Sequence, residues 1–459
     1  MMQRLSVFFA ALFFHLYGST QLAQEPYVNP TSISFSNLNS YSFKVHYNPI
    51  QTTQFYLVLM QMNTAIVEKP VDGASYQRGD ELGISKVVYI GSDTCFTPSA
   101  IRANSTYFIT VFSFNGAAGA ENYQQLGNKI QKVITKGSKI DSYYEGISKT
   151  APNFISLLSE RINKHLVLPY SDYKTTVLAS LELIDTSHNQ RYVECAYSGE
   201  KKLFSGAFDW TALGYSREHA YPHSWMPSYP ANNPPKAEYS DFHNLYPCNL
   251  DKANAPRSNF PLGEVTGDVV FSYMEGKLGY NGNQLVFEPR SKHKGNAARA
   301  MMYMAISYSS VMPGWELPQK QDQEILKKWH FQDPPDNYEL ARNEYIYSIQ
   351  GNRNPFIDSV TYACYIDFNT LKNNTKGCLN LAVNQSARKE KLPILINQTL
   401  INEGESPLMI SIINEMGQVV LESTSLESKV KMDVSMLQKG WCFVHIEAPF
   451  KEIIRYFIE

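Results

Sequence analysis

Residues 216–225 read SREHAYPHSW, and the reading of this stretch decides what kind of domain surrounds it. A guanidinium (Arg217), a carboxylate (Glu218) and an imidazole (His219) stand side by side, with Pro222 and Trp225 just behind. A glutamate supplies a hard oxygen ligand suited to Mg²⁺ or Ca²⁺. A histidine that titrates near neutrality can take a proton from water. Adjacent residues of a strand leave opposite faces, so Glu218 and His219 are expected to converge through a loop or bulge braced by Pro222 and Trp225.

Two further dense stretches follow, SDFHNLYP at 240–247 and NAPRSNFPLGEV at 254–265. Phosphodiester hydrolysis needs this kind of set: a base for the attacking water and a divalent ion for the growing charge on phosphate and leaving oxygen. Mg²⁺ keeps several of its waters, so one or two protein ligands suffice. Asn254 offers an amide oxygen, and Arg257, three residues on, offers paired donors to phosphate. Positions three apart share a helix face. Pro256 lies between them, and proline inside a helix removes a hydrogen bond and crowds the preceding turn, so a kink or helix end is expected there. His219, His223, His243 and Glu218 could also be drawn as a zinc site, but His243 and Asn244 read better as groups that hold the site loop.

Farther out, three textures divide the chain. Its 459 residues are long for one core. Residues 26–136 are short alternating segments (SISFSNL, QFYLVLMQM, TYFITVFSFNG) and predict an antiparallel sandwich. Residues 139–365 are mixed: 152–165, 296–308, 319–331 and 337–350 carry helical periodicity, and 296–308 is apolar around most of its surface and so central. Residues 385–459 return to alternation and predict a small β-sandwich. Upstream, 1–23 holds one early cation and the run LSVFFAALFF, too short to span a bilayer and fitting a secretory signal cleaved after Ala23. No later stretch is long and apolar enough to cross, so stable membrane insertion is not expected.

The formal charge of −2 gives no global pull toward nucleic acid, so phosphate binding would be local, modest and salt-sensitive. The segment EPRSKHKGNAAR supplies a basic loop opening a helix, with Arg290, Lys292, Lys294 and Arg299 against Glu288. Of six cysteines none forms a CxxC pair, and Cys364 with Cys378 is the one close pair that could form a bridge.

REHAYPHSW, DFHNLYP, NAPRSNFPLGEV, FEPRSKHKGNAARAMMYM and the stretch from WHFQDPP to RNPFID occur in the order seen in the bacterial endonuclease I family, which this region resembles over roughly residues 140–360. The resemblance implies an α+β core with a His-Me finger (ββα-metal) site in a multidomain chain, flanked by N-terminal and C-terminal all-β sandwich domains. It implies His219 as general base and Glu218 and Asn254 as ligands of Mg²⁺ (Mn²⁺ or Ca²⁺ as alternatives), while Arg217, Arg257, Lys294 and Arg299 are the cations expected, by their charge, on the nucleic acid. The expected substrate is DNA, with RNA as an alternative, cut to 5′-phosphate and 3′-hydroxyl ends. Residues 26–136 resemble a fibronectin type III-like module. ISIINEMGQVV, KVKMDVSMLQKGWCFVHI and IIRYFIE resemble the C-terminal sorting domain of the type IX secretion route, with the secretion machinery as partner and a secreted or cell-surface location. The departures are LPILINQTLI for the usual Pro-Asn-Pro opening and Cys442 for the usual Tyr. A different class of reading, a surface-binding or adhesion protein with a degenerate nuclease domain, is disfavoured by the joint presence of Arg217, Glu218, His219 and Asn254.

Overall fold

The computed structural model describes residues 21–140, 142–230, 236–374 and, beyond these, the segments 394–396, 399–401, 408–414, 418–426, 431–433, 440–448 and 452–458. Most of the expected leader (1–20 of 1–23) and Cys378 therefore lie outside the described residues, while Cys364 is disulfide-bonded.

Residues 26–136 form two antiparallel sheets. The larger is built on β1 (Phe55–Met62), β2 (Ser85–Gly91) and β3 (Thr106–Asn115), with β1 between the other two and Ile130–Ile134 on the far side of β3. The smaller joins Ile33–Ser36, Lys44–Tyr47 and Cys95–Phe96. Period-2 alternation sends Tyr56 and Val58 toward the smaller sheet with Phe43, Val45 and Ile109. It sends Leu57 and Leu59 the other way, with Ile66, Leu82 and Phe112. Both faces of β1 are buried, which is why its sequence is a nearly unbroken apolar run.

The central region carries four longer helices: α1 (Phe154–Asn163), α2 (Lys294–Ser307), α3 (Gln323–Gln332) and α4 (Asn337–Gln350). Asp322 and Asp336 cap α3 and α4 by accepting from backbone N–H groups, and Gly351 ends α4 at φ 86°. Every residue of α2 from Gly295 to Ser307 is buried, so this helix is the axis about which the core packs. Against it stands an antiparallel pair, β4 (Tyr215–His219) and β5 (Leu245–Asn249), followed at once by a short helical segment, 250–257.

At the C-terminal end the described strands form a four-stranded sheet (Leu408–Asn414, Val419–Leu426, Gly440–Ala448, Glu452–Ile458) and a three-stranded one (Ile394–Ile396, Thr399–Ile401, Lys431–Asp433). Phe443 stacks on Phe331 of α3, 5.7 Å between ring centres. The N-terminal sandwich meets the central region through the Arg78–Asp185 ion pair (2.7 Å) and the Ala103 N–H, which donates to the Asn337 carbonyl.

Candidate active site

The β4–β5 pairing is regular, with Glu218 opposite Tyr246 and His219 opposite Leu245. The expected bulge at Glu218–His219 is absent. Strand alternation holds to the end of β4, and the two side chains have different neighbours.

On one side, Glu218 is 6% exposed. Asn254 Nδ2 donates to its Oε2, the Tyr197 hydroxyl donates to its Oε1 at 3.3 Å, and Arg257 Nε lies 3.8 Å from Oε1. Burial pushes the carboxyl up to about 8, with the Arg257 charge and the Tyr197 hydroxyl pulling the other way. Asn254 is brought here by a widened turn: residues 250–254 are π-helical, the Ala255 N–H donates to the Leu250 carbonyl, and Ala255–Arg257 continue as α-helix. Pro256, which has no N–H to give, sits early in that α segment, where the helix tolerates it. Asn254 and Arg257 consequently reach the same carboxylate.

On the other side, His219 Nε2 lies 2.7 Å from the Tyr239 carbonyl. A carbonyl can only accept, so Nε2 carries the proton and Nδ1 presents a lone pair. Among the described residues Nδ1 has no hydrogen-bond partner. Burial lowers the imidazole to about 4, which keeps it neutral, with an unprotonated ring nitrogen, at ordinary pH. Tyr170 stacks parallel on the ring at 5.5 Å, and its hydroxyl donates to the Arg217 carbonyl at 3.0 Å. Arg217 is half-buried, its guanidinium 4.0 Å from the Tyr170 ring centre and 5.2 Å from that of Trp210.

The remaining expected cations do not line an open face of the site. Arg257 is fully buried and donates to the Ala220 and Ser258 carbonyls, so it stands behind Glu218 rather than on an open face. Lys294 pairs with Glu288 at 2.6 Å and lies over the Trp329 ring. Arg299 corrects the expectation of a basic surface loop most clearly: it has no exposure, and its guanidinium is held by Glu339 and by the Asp333 carbonyl (2.7 Å). Its place on the inward side of α2 follows from that helix being buried on all sides. A cation without a sequence signal does reach the site: Lys320, exposed, lies 4.9 Å from the Trp225 ring centre and donates to the Asn259 carbonyl. Tyr170, Tyr197 and Tyr239 are likewise site residues that no motif marks.

Supports come from α4 and from the loop before β5. Asn244 clamps Tyr221 in both directions, accepting from its N–H and donating to its carbonyl. Arg342 donates to the Phe242 and Leu245 carbonyls, and Gln350 to Asp241. His243 points into this network, donating to the Asn352 carbonyl, and not toward Glu218.

The donor set of Glu218 and Asn254, a carboxylate and an amide side by side, fits a hard divalent cation that takes few protein ligands. A buried carboxylate raised to about 8 is one whose charge is under-compensated by the protein alone. Among the described residues no group of three or more His, Cys, Asp or Glu is placed to hold a metal, so the zinc arrangement is not assembled.

Comparison with known proteins bears on this geometry. The endonuclease I family profile matches residues 150–361, and that of the secretion system C-terminal sorting domain matches 389–458. An extracellular ribonuclease of Bacillus subtilis is 33% identical over 240 residues, 49% of this chain and 77% of its own. One from Bacillus amyloliquefaciens is 31% identical, covering 50% of this chain and 80% of its own. A periplasmic deoxyribonuclease of Aeromonas hydrophila is 29% identical over 37% of this chain and 80% of its own.

Proposed function

This chain belongs to the endonuclease I family, and from that premise we propose a metal-dependent endonuclease that hydrolyses DNA internally, with RNA as an alternative substrate, leaving 5′-phosphate and 3′-hydroxyl ends. It is a secreted or cell-surface enzyme carrying a C-terminal sorting domain. That domain would engage the type IX secretion machinery. Among the described residues no helix is long and apolar enough to cross a membrane.

One observation carries the mechanism: His219 Nε2 donates to the Tyr239 carbonyl, and among the described residues Nδ1 has no hydrogen-bond partner. In this reading Nδ1 takes the proton of the attacking water. The backbone bond and the Tyr170 stack fix the tautomer and the ring plane, so the base needs no reorientation. Glu218 and Asn254 would hold the divalent cation, Mg²⁺ first. Bound there, it supplies a counter-charge for the phosphate and leaving oxygen as the bond breaks. Arg257 holds Glu218 from behind and stays clear of the phosphate. Arg217, half-buried beside Tyr170, and Lys320, exposed beside Trp225, are the cations we place on the strand, with Lys294 more remote. The hairpin with its following helical segment supports a His-Me finger assignment. The packing of two antiparallel N-terminal sheets, one of three strands and one of six, supports the fibronectin type III-like one.

The test is cleavage of supercoiled plasmid and of RNA with Mg²⁺ or with EDTA, beside His219→Ala. Internal cutting that needs the cation and vanishes in the variant is the expected result. Metal-independent cutting, or full activity in the variant, would overturn the mechanism.

A further inference from the structure

Where the N-terminal sandwich meets the nuclease core there is a pocket of about 360 Å³. Its walls include Arg102 from the sandwich, Lys201, Tyr246, Lys292 and His293 from the core, and Tyr338 from the first turn of α4. It is separate from the reaction centre described above, although Tyr246 is the cross-strand neighbour of Glu218.

The charges around this pocket are unevenly committed. Of its anionic groups, Glu194 is paired with Arg290, and Glu182 accepts from Tyr173 and Tyr338 and faces Arg342 at 3.4 Å. Asp336 accepts the Glu339 N–H as the cap of α4. Apart from Arg290, the cations of this lining lack such partners among the described residues. Among the described residues Lys292 is exposed and in no ion pair. Among the described residues Lys201 lies over the Tyr192 ring (5.2 Å) and the Arg102 guanidinium over the Tyr338 ring (4.9 Å), neither in an ion pair. Two polar atoms, Arg102 Nη1 and His293 Nε2, are buried with no hydrogen-bond partner among the described residues. His293 itself is 3% exposed, wedged edge-on against Tyr246 at 4.7 Å. Buried polar groups in folded proteins are nearly always satisfied, so two orphans on residues that line one cation-rich pocket leave donor capacity there for a partner.

We propose that this pocket binds a phosphate group, presented either by a free nucleotide or by the backbone of a nucleic acid. Guanidinium recognises a phosphate through paired donors, and the two lysines add charge without fixing direction. The volume admits a nucleotide-sized ligand rather than a lone ion, and tyrosines supply apolar wall. The pocket would thus be a second anion site, held jointly by two domains.

The test uses the full chain carrying His219→Ala, in EDTA so that nothing is cut, and does not depend on the proposed reaction. Affinities for inorganic phosphate, thymidine 5′-monophosphate and a short single-stranded DNA are measured by calorimetry. Arg102→Gln and, separately, Lys292→Glu are then introduced; Lys292 is exposed, so the second variant remains informative if the first does not fold. We expect phosphate and nucleotide binding to weaken about tenfold. An equal loss for the oligonucleotide identifies the backbone as the source, and an unchanged oligonucleotide identifies the free nucleotide. No binding of any probe, or affinities that Lys292→Glu leaves unchanged for all three, would overturn the proposal.

Discussion

In the N-terminal sandwich, Tyr56 and Val58 look to one side of β1 and Leu57 and Leu59 to the other, all without appreciable exposure. In the nuclease core the most deeply buried side chains include Arg299, Arg342 and Arg353, each tied to a carboxylate. The sandwich is held by apolar area, which is non-directional and tolerant of small shifts. The nuclease core adds charge-assisted bonds with fixed geometry to its apolar packing. Arg342, for instance, grips the carbonyl of Leu245, the residue opposite His219, and so sets where the base stands. A domain that must hold a neutral imidazole and a buried carboxylate in register gains from directional bonds. One that serves as a module does not need them.

This contrast can be broken or sharpened by experiment. The largest expected effect is on chemistry: His219→Ala should lower plasmid cleavage by about 10²–10⁴-fold with an unchanged circular dichroism spectrum. Next is Arg353→Met, which strands Asp358 and Glu344 in the core. Denaturant unfolding should register a loss of about 3–5 kcal/mol in the nuclease domain. Leu59→Ala should cost the sandwich about 2–4 kcal/mol by the same method and leave specific activity intact. If it halves activity as well, the two cores are coupled and the contrast fails.

A further set of expected effects depends on pH. Glu218 is raised to about 8, so its folded form holds a proton that the unfolded chain releases near the ordinary carboxylate value. The resulting stabilisation is complete below that value and is lost as pH rises through about 8. In EDTA, the stability of the wild type relative to Glu218→Gln should therefore decline between about pH 4.5 and 8. His219, lowered to about 4, works in the opposite sense, contributing stability above its ordinary value that is lost as pH falls through about 4. Cleavage limited by its free base should accordingly persist at pH 5, where an exposed histidine would be protonated; a pH–rate profile checks this.

Much of this arrangement was legible in the sequence. Periodicity placed the four helices: 152–165, 296–308, 319–331 and 337–350 contain or overlap Phe154–Asn163, Lys294–Ser307, Gln323–Gln332 and Asn337–Gln350. Local motif grammar drew attention to Glu218, His219 and Asn254, two of which the structure joins by a hydrogen bond. Tertiary pairing was not legible. Arg299 reads as part of a solvated basic run because its partner, Glu339, is forty residues away. Tyr170, Tyr197 and Tyr239 come from separate elements with no motif of their own. Pro256 reads as a helix breaker because the compensating π turn depends on where the carbonyls of 250–252 fall.

The long sequence distance between the hairpin and its supports has a consequence for the order of events at the ribosome. Arg342 lies 97 residues after the Leu245 carbonyl it holds, and Gln350 lies 109 after Asp241. A nascent chain that has already delivered Glu218, His219 and Asn254 is still without the helix that fixes them in place. The complete site therefore comes late in synthesis, and a nuclease bound for the outside of the cell carries, in its own chain order, a delay before it can cut.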